Sequence, residues 1–206
     1  YVGGTIDDAT LKNICAETIN FDFPLVPITD TISSLELFHG PTLAFKDVGA
    51  RFMSRCLGYF SKQARAENAA ANTLKSQEDK TQYEKPSTVL VATSGDTGGA
   101  VANGFLGVAG VDVIILYPKG KVSPIQELQL TTLGQNITAL EVDGSFDDCQ
   151  AIVKEAFMDG ELNTAYNLTS ANSINVARWL PQQLYYYFAS EFYFCCRGTG
   201  TTSCSS

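Results

Sequence analysis

The stretch STVLVATSGDTGG (residues 87–99) gives the clearest indication of the fold class of this chain. Ser87 to Ala92 is a short run of apolar and β-branched residues, which is typical of a buried strand. The glycines that follow favour a tight turn, and the small residues from Gly98 to Val108 predict a helix. A strand, a Gly-rich turn and a helix in this order form the repeating unit of an α/β sheet.

The alternation of strand and helix continues on both sides of this stretch. The predicted strands are 87–92, 111–117, 137–142 and a weak one near 165–168, and the predicted helices are 7–18, 48–70, 98–108, 124–133, 146–157 and 175–194. The polar segment 67–86 is predicted to be the end of a helix and a surface connection. This order predicts an α/β fold with a mainly parallel, doubly wound sheet and flanking helices.

The composition argues against several classes of partner. Of the 206 residues, 45% are hydrophobic and 17% are charged, which is typical of an ordinary globular protein. The formal net charge of −8 argues against nucleic acid or an anionic membrane as the main partner. No apolar run is long enough to span a bilayer and no signal peptide is apparent, so we expect a cytoplasmic protein. The six cysteines form no standard metal-binding motif.

A single lysine stands in an apolar loop immediately before a predicted helix. The loop is LELFHGPTLAFKD (residues 35–47), and Asp47 is predicted to cap the helix that begins at Val48. Lys46 then meets the positive end of the helix dipole. If the apolar side chains of the loop also desolvate its amine, the neutral form is favoured, and a neutral amine forms a Schiff base with an aldehyde cofactor such as pyridoxal phosphate. Without further context, however, most lysines in such loops are solvated surface charges.

The Gly-rich turn at residues 93–99 is compatible with two roles. Backbone N–H groups at the start of a helix bind anions, and glycines permit close approach of a ligand. The same pattern is common in plain strand-to-helix turns, and it lacks the GxGxxG fingerprint of dinucleotide-binding proteins. Asp96 would repel a phosphate held in the same turn.

Two further polar segments follow predicted strands, where ligands bind in open α/β sheets. Lysine attracts phosphate as a point charge and arginine as a bidentate fork, whereas Asn and Ser near a helix start bind anions or simply cap the helix. Without further context, the two lysines are better explained as surface charges in a loop that contains proline and glycine. The cations are Lys119, Lys121 and Arg178, and the polar residues before the last helix are Asn172, Ser173 and Asn175.

Four blocks of sequence together resemble one family of enzymes. In chain order they are LFHGPTLAFKDVGARFMSR (37–55), VATSGDTGGAVANGF (91–105), ILYPKGKVSPIQELQ (115–129) and NLTSANSINVARWLPQQLYYYFA (167–189). They resemble the threonine synthase family of pyridoxal-phosphate enzymes and occur in the same order. The resemblance implies pyridoxal 5'-phosphate as the cofactor and the conversion of O-phosphohomoserine and water to threonine and phosphate.

The resemblance also implies roles for individual residues. Lys46 is expected to hold the cofactor and to move protons during the reaction. The Gly-rich loop is expected to receive the substrate α-carboxylate through Ser94 and Thr97, and Asp96 is expected to face the ring hydroxyl of the cofactor. The three cations and the polar residues before the last helix are then candidate ligands of the substrate and its phosphate.

Two alternatives remain open. A related enzyme that removes water or ammonia from serine or threonine has a substrate without phosphate and would not need the three cations. An inactive fragment is the other alternative, because the chain begins at Tyr1 without methionine and the family's Gly-Asn-Phe-Gly cofactor-phosphate loop is not found. We therefore expect residues 1–190 to be a partial catalytic α/β region, the incomplete fold of a larger pyridoxal-phosphate enzyme. Residues 191–206 are expected to be a disordered or misread tail.

Overall fold

The computed structural model describes residues 4–71 and 86–198. It contains a small antiparallel pair of strands and a larger parallel sheet. The strands are β1 (Leu25–Pro27), β2 (Ser33–Leu35), β3 (Ser87–Ala92), β4 (Val111–Pro118), β5 (Ile137–Val142) and β6 (Leu168–Thr169). The helices are α1 (Asp8–Thr18), α2 (Asp47–Ala71), α3 (Asp96–Phe105), α4 (Pro124–Thr131), α5 (Phe146–Met158), α6 (Gly160–Tyr166), α7 (Val176–Trp179) and α8 (Leu184–Gly198), with a 3₁₀ turn at Leu180–Gln183.

The larger sheet has the spatial order β5-β4-β3-β6, and every neighbouring pair in it is parallel. The register pairs Val89 with Val113 and Leu116 with Leu140. Parallel strands need crossover connections, and helices supply them between β3, β4, β5 and β6. The predicted α/β fold with a parallel sheet is therefore confirmed.

Both faces of the sheet are covered by helices. On one face the side chains of alternate residues in β3 and β4 pack with Phe105 of α3 and Leu130 of α4. On the other face Leu90 and Leu116 pack with Cys149 and Val153 of α5. Burial on both faces explains why the central strands consist almost entirely of apolar residues and lack an alternating polar pattern.

The predicted helix 175–194 is wrong in one respect, because the structure divides it into three pieces. Helix α7 ends at Trp179, a 3₁₀ turn follows, and α8 begins at Leu184. The cause is Pro181, which lacks a backbone N–H and cannot continue an α-helix without a break. Helix α8 runs to Gly198, so residues 191–198 of the expected tail have a helical backbone, as a run without glycine or proline from Leu184 to Arg197 permits. Residues 199–206 lie outside the described residues.

Smaller corrections concern two other segments. Helix α3 begins at Asp96, two residues earlier than predicted, and ends at Phe105 because Gly107 takes a positive φ of 70° that stops the helix. The weak strand near 165–168 is observed only at Leu168–Thr169, since residues 160–166 form helix α6. The predicted surface connection beyond α2 falls in residues 72–85, outside the described part of the chain.

Candidate active site

The carboxyl ends of the parallel strands bring the sequence-predicted segments to one edge of the sheet. The turn at residues 93–99 follows β3, the loop at residues 119–123 follows β4, and residues 170–175 follow β6. Asn172 Nδ2 donates to the carbonyl of Ala92 over 3.1 Å, which ties the segment after β6 to the end of β3. Ligand sites of open α/β sheets lie at this edge.

Lys46 and Asp96 meet at this edge, although 50 positions separate them in the sequence. Lys46 Nζ lies 3.8 Å from Asp96 Oδ2, and the two side chains are 26% and 54% exposed. The ammonium also lies over the ring of Phe45, 5.5 Å from the ring centroid. The structure thus brings together the two residues that were expected to hold the cofactor.

The apolar cover expected around Lys46 is incomplete. Phe38, Leu43 and Phe45 are all exposed to solvent, and only Ala44 among the four apolar neighbours is partly buried. Leu43 has a φ of 59°, in the left-handed region that non-glycine residues rarely adopt, and its side chain is exposed. The Lys46 side chain is thus placed between a carboxylate and an aromatic ring instead of in an apolar pocket.

Asp47 is not the N-cap residue that was predicted. Helix α2 begins at Asp47 itself, and its buried carboxylate turns back to accept hydrogen bonds from the backbone N–H of Thr42, over 2.9 Å, and from the Thr42 hydroxyl. A side chain on Gly40 would place a Cβ 2.5 Å from Asp47 Oδ2, so glycine is required where the loop folds over this carboxylate. Asp47 therefore closes the loop that presents Lys46.

The Gly-rich turn is organised by Thr93, which sequence reasoning did not single out. Thr93 Oγ1 accepts hydrogen bonds from the N–H groups of Gly95 and Gly98 over 3.0 and 2.8 Å. These two N–H groups already have a partner, so they are not free for an anion. Ser94 is exposed and Thr97 is partly buried on the same turn.

Arg178 is buried next to the backbone of Lys46 and is only 3% exposed. Its Nη1 donates to the backbone carbonyl of Lys46 over 3.0 Å, and within the described residues its Nε has no hydrogen-bond partner. Desolvation lowers the pKa of the guanidinium to about 10, and the charges of Asp47 and Tyr185 act in the opposite direction. This buried cation therefore contacts the backbone of Lys46 and not its side chain.

Tyr185 is a second residue that sequence reasoning missed, because its run of aromatic residues indicated only helix packing. Its hydroxyl donates to the carbonyl of Phe45 over 2.6 Å, and the side chain is buried. Burial raises the pKa of the phenol above its ordinary value, and the charge of Asp47 adds to the effect. The hydroxyl is therefore a proton donor throughout the neutral range.

The remaining predicted residues lie at the same edge but in separate contacts. Lys119 and Lys121 are exposed on the loop after β4, where Lys119 Nζ pairs with Glu141 Oε2 at 3.8 Å. Asn175 caps the short helix α7 through a hydrogen bond from the N–H of Ala177, which agrees with the capping interpretation, and Ser173 is exposed. Among the described contacts, none joins these lysines to Arg178.

Comparison with known proteins places the chain in a family. The family model described as "Pyridoxal-phosphate dependent enzyme" matches residues 34–204. The chain belongs to this family. Within the family it is similar to the threonine synthases of Serratia marcescens, with 48% identity over 92% of this chain, and Escherichia coli, with 44% identity over the same share. It spans about 39% of the length of each of these relatives.

Solved structures of family members agree with the fold. The crystal structure of threonine synthase from Escherichia coli matches with a TM-score of 0.73 and 44% identity, over 92% of this chain and 39% of that one. The pyridoxal-phosphate-bound threonine synthase from Brucella melitensis matches with a TM-score of 0.77 and 39% identity, over 93% of this chain and 38% of that one. Within the residues that the structure describes, no helix is long and apolar enough to cross a membrane.

The residues around Lys46 fit the reactive end of the family's cofactor. An aldehyde needs an accessible amine, and the Lys46 side chain is about one quarter exposed at the ligand-binding edge of the sheet. A carboxylate stands beside the amine, where it can face a polar group of the cofactor ring. The site can therefore hold an aldehyde cofactor through Lys46 and orient it through Asp96.

Proposed function

We propose that this chain carries the lysine-bearing part of a threonine synthase site, which converts O-phosphohomoserine and water to threonine and phosphate with pyridoxal 5'-phosphate. The observation that carries the proposal is the approach of Lys46 Nζ to Asp96 Oδ2, at 3.8 Å, at the carboxyl edge of the sheet. The 48% and 44% identities to threonine synthases support the choice of this reaction within the family.

Lys46 has two roles in this proposal. Its Nζ would hold the cofactor, and the same amine would take protons from the substrate carbons and return them. The bound cofactor supplies an electron-accepting ring, which makes the protons near the substrate amine easier to remove. Asp96 orients the ring side of the cofactor, and Ser94 and Thr97 on the same turn bind the substrate α-carboxylate.

The cations near the edge of the sheet are proposed to bind the substrate phosphate. Lys119 and Lys121 would supply point charges from the exposed loop after β4, and Arg178 would supply a buried charge beside the lysine backbone. The polar residues of the loop before α7 would add hydrogen bonds. These residues are Asn172, Ser173 and Asn175.

The proposal also divides the chain into two regions. Residues 1–190 form the partial catalytic region, and residues 191–206 form an atypical C-terminal segment. The partner is a small-molecule substrate, with no nucleic acid or membrane required, and the proposed location is the cytoplasm.

A dehydratase-like enzyme acting on serine or threonine is the second candidate. One observation favours it: Arg178 is bound to the Lys46 carbonyl and Lys119 pairs with Glu141, so two of the three cations already have partners. A substrate without phosphate would leave these contacts undisturbed.

Turnover separates the two candidates when it is measured on the full-length enzyme, meaning the complete enzyme of which this chain is proposed to be a part. Purified protein is incubated with O-phosphohomoserine, with serine and with threonine, and the release of phosphate and of ammonia is measured. We expect stoichiometric phosphate and threonine from O-phosphohomoserine. Release of ammonia from serine or threonine without turnover of O-phosphohomoserine would replace the proposal with the second candidate.

A further inference from the structure

We infer that Gln126 is a positioning residue, which fixes the Asp96 carboxylate opposite Lys46. This inference rests on the proposed function, because that function gives Asp96 its role. Gln126 Nε2 donates to Asp96 Oδ1 over 2.5 Å, while the other carboxylate oxygen faces Lys46 Nζ at 3.8 Å. One oxygen is thus held by a neutral amide and the other is left for the lysine.

Ser123 fixes the other end of the same amide. Its Oγ donates to Gln126 Oε1 over 2.9 Å. An ionised carboxylate only accepts hydrogen bonds, so the amide nitrogen must face Asp96 and the amide oxygen must face Ser123. The orientation of the carboxamide is therefore determined by its two partners.

The local sequence does not explain why the Gln126 side chain points to Asp96. Ser-Pro-Ile-Gln, residues 123 to 126, matches a capping box, in which the glutamine side chain returns to the N–H of the serine. Only half of that pattern is present: Gln126 N donates to Ser123 Oγ, but the side chain reaches Asp96, 30 positions away. The glutamine thus links α4 to α3, which a helix cap alone does not require.

The turn before Asp96 is shaped to admit this amide. Gly95 has a φ of 145°, and a Cβ built on it would lie 2.5 Å from Gln126 Oε1. A side chain at this position would displace the carboxamide, which is the far end of a flexible side chain. The absence of a side chain at Gly95 therefore leaves room for the carboxamide of Gln126 against the turn.

The relative strengths of the contacts make Gln126 the main restraint on Asp96. An ion pair between partly exposed side chains contributes little, because solvent screens the two charges. A hydrogen bond to a charged group contributes more, and this one comes from a side chain that is itself held by Ser123. Asp96 is more than half exposed and would otherwise sample other rotamers.

The contact itself is tested by nuclear magnetic resonance on the 206-residue chain, without cofactor. We expect one Nε2 proton of Gln126 to exchange slowly with solvent, and to become solvent-like in Asp96→Ala but not in Asp30→Ala. Asp30 lies in the exposed loop between β1 and β2 and serves as the matched control. A Gln126 amide that is insensitive to Asp96→Ala would overturn the inference.

The positioning role is tested by trapping Lys46 with excess pyridoxal phosphate and borohydride. We expect Gln126→Met to slow labelling of Lys46 by about tenfold in the wild-type background and to have no effect in the Asp96→Ala background. Gln150→Met on α5 is the control and should leave labelling unchanged. Equal slowing in both backgrounds would show a general structural effect and would sink the inference.

The two ideas fail in different ways. If the full-length enzyme shows no labelling at Lys46, the proposed function fails, whereas the resonance experiment still decides whether Gln126 holds Asp96. If labelling is normal but Gln126→Met does not slow it, only the inference about Gln126 fails.

Discussion

Arg178 Nη1 donates a hydrogen bond to the backbone carbonyl of Lys46 over 3.0 Å, across 132 positions of sequence. The carbonyl of the preceding residue, Phe45, accepts a second such bond from Tyr185. Both donors come from the segment of α7 and α8, and both are buried. Two hydrogen bonds from a distant part of the chain therefore fix the backbone at Phe45 and Lys46, while the side chain of Lys46 faces Asp96.

Lys46 is predicted to be the only lysine that links covalently to the cofactor. Borohydride reduction of the loaded full-length enzyme should label Lys46 alone, because it is the lysine that faces Asp96 at the ligand-binding edge. Peptide mass spectrometry identifies the labelled residue. Lys46→Ala should lose the visible absorbance of the bound cofactor, whereas Lys62→Ala on the exposed face of α2 should keep it. A retained chromophore in Lys46→Ala would refute the central assignment.

Lys119 and Lys121 are predicted to affect the substrate more than the cofactor. Replacing either with methionine should lower kcat/KM for O-phosphohomoserine by roughly tenfold or more, because a charge-assisted contact to phosphate is lost. Cofactor loading, measured by absorbance, should be unchanged. If homoserine without phosphate is turned over equally well, the dehydratase-like alternative is favoured.

Arg178 should behave differently from these two lysines. Arg178→Met removes the donor to the Lys46 carbonyl as well as a positive charge, so we expect cofactor loading and turnover to fall together. An Arg178→Met enzyme with normal loading and poor turnover would assign this residue to the substrate alone.

Tyr185→Phe is predicted to destabilise the fold by about 1–2 kcal/mol, because the partly buried hydrogen bond from the tyrosine hydroxyl to the carbonyl of Phe45 is lost. Chemical denaturation measures the change in the free energy of unfolding. Tyr187→Phe is the matched control, since that tyrosine is on the same helix and 68% exposed. Equal stability of the two variants would mean that the hydroxyl of Tyr185 contributes nothing.

The 206-residue chain is predicted to bind pyridoxal phosphate weakly. In the family that it resembles, a nest of backbone N–H groups anchors the cofactor phosphate, and the Gly-Asn-Phe-Gly loop for this was not found in the sequence. The turn at 93–99 is a poor substitute, because the N–H groups of Gly95 and Gly98 already donate to Thr93. Titration followed by absorbance tests this, and tight stoichiometric loading would contradict it.

Cys56 is predicted to react slowly with alkylating reagents and to destabilise the fold at high pH. Burial raises the pKa of its thiol to about 11 from an ordinary value near 9, and the nearby Cys15 adds to the shift. At pH 8 the thiolate fraction is then about 100-fold lower than for a free cysteine. Mass spectrometry after iodoacetamide treatment should show Cys15 modified before Cys56.

The sign of the linked stability follows from the same shift. The fold stabilises the neutral thiol of Cys56, so this contribution is fully present below about pH 9 and is lost as the pH rises to about 11. The free energy of unfolding should fall over that range by less in Cys56→Ala than in the wild type. An identical pH dependence in both proteins would contradict the prediction.

The sequence was sufficient where local patterns carry the information. Strands β3 and β5 were predicted with their observed bounds, because apolar β-branched runs end at clear turn residues. The family resemblance implied a cofactor role for both Lys46 and Asp96, and the structure brings the two side chains together. Their spacing in the sequence alone does not indicate this contact.

Contacts between distant side chains could not be foreseen. Gln126 and Tyr185 each have an ordinary local explanation, as a helix cap and a packing aromatic. Their partners Asp96 and Phe45 lie across the fold, and no periodicity in the sequence records such a pairing. Asp47 was misassigned for a different reason, because its carboxylate makes a local contact backward to Thr42 instead of capping the helix ahead.

The contacts from Arg178 and Tyr185 to the lysine loop also bear on the order of folding. The loop at residues 42–47 can form its own turn early, and the Lys46 carbonyl accepts a hydrogen bond from the N–H of Ala50 in the first turn of α2. The side-chain donors to the carbonyls of Phe45 and Lys46 are available only after residues 178 and 185 have been synthesised. Closing so long a stretch of chain has an entropic cost that only the assembled sheet can offset. A nascent chain on the ribosome therefore lacks the two side-chain hydrogen bonds to the backbone at Phe45 and Lys46 until the segment of α7 and α8 has emerged.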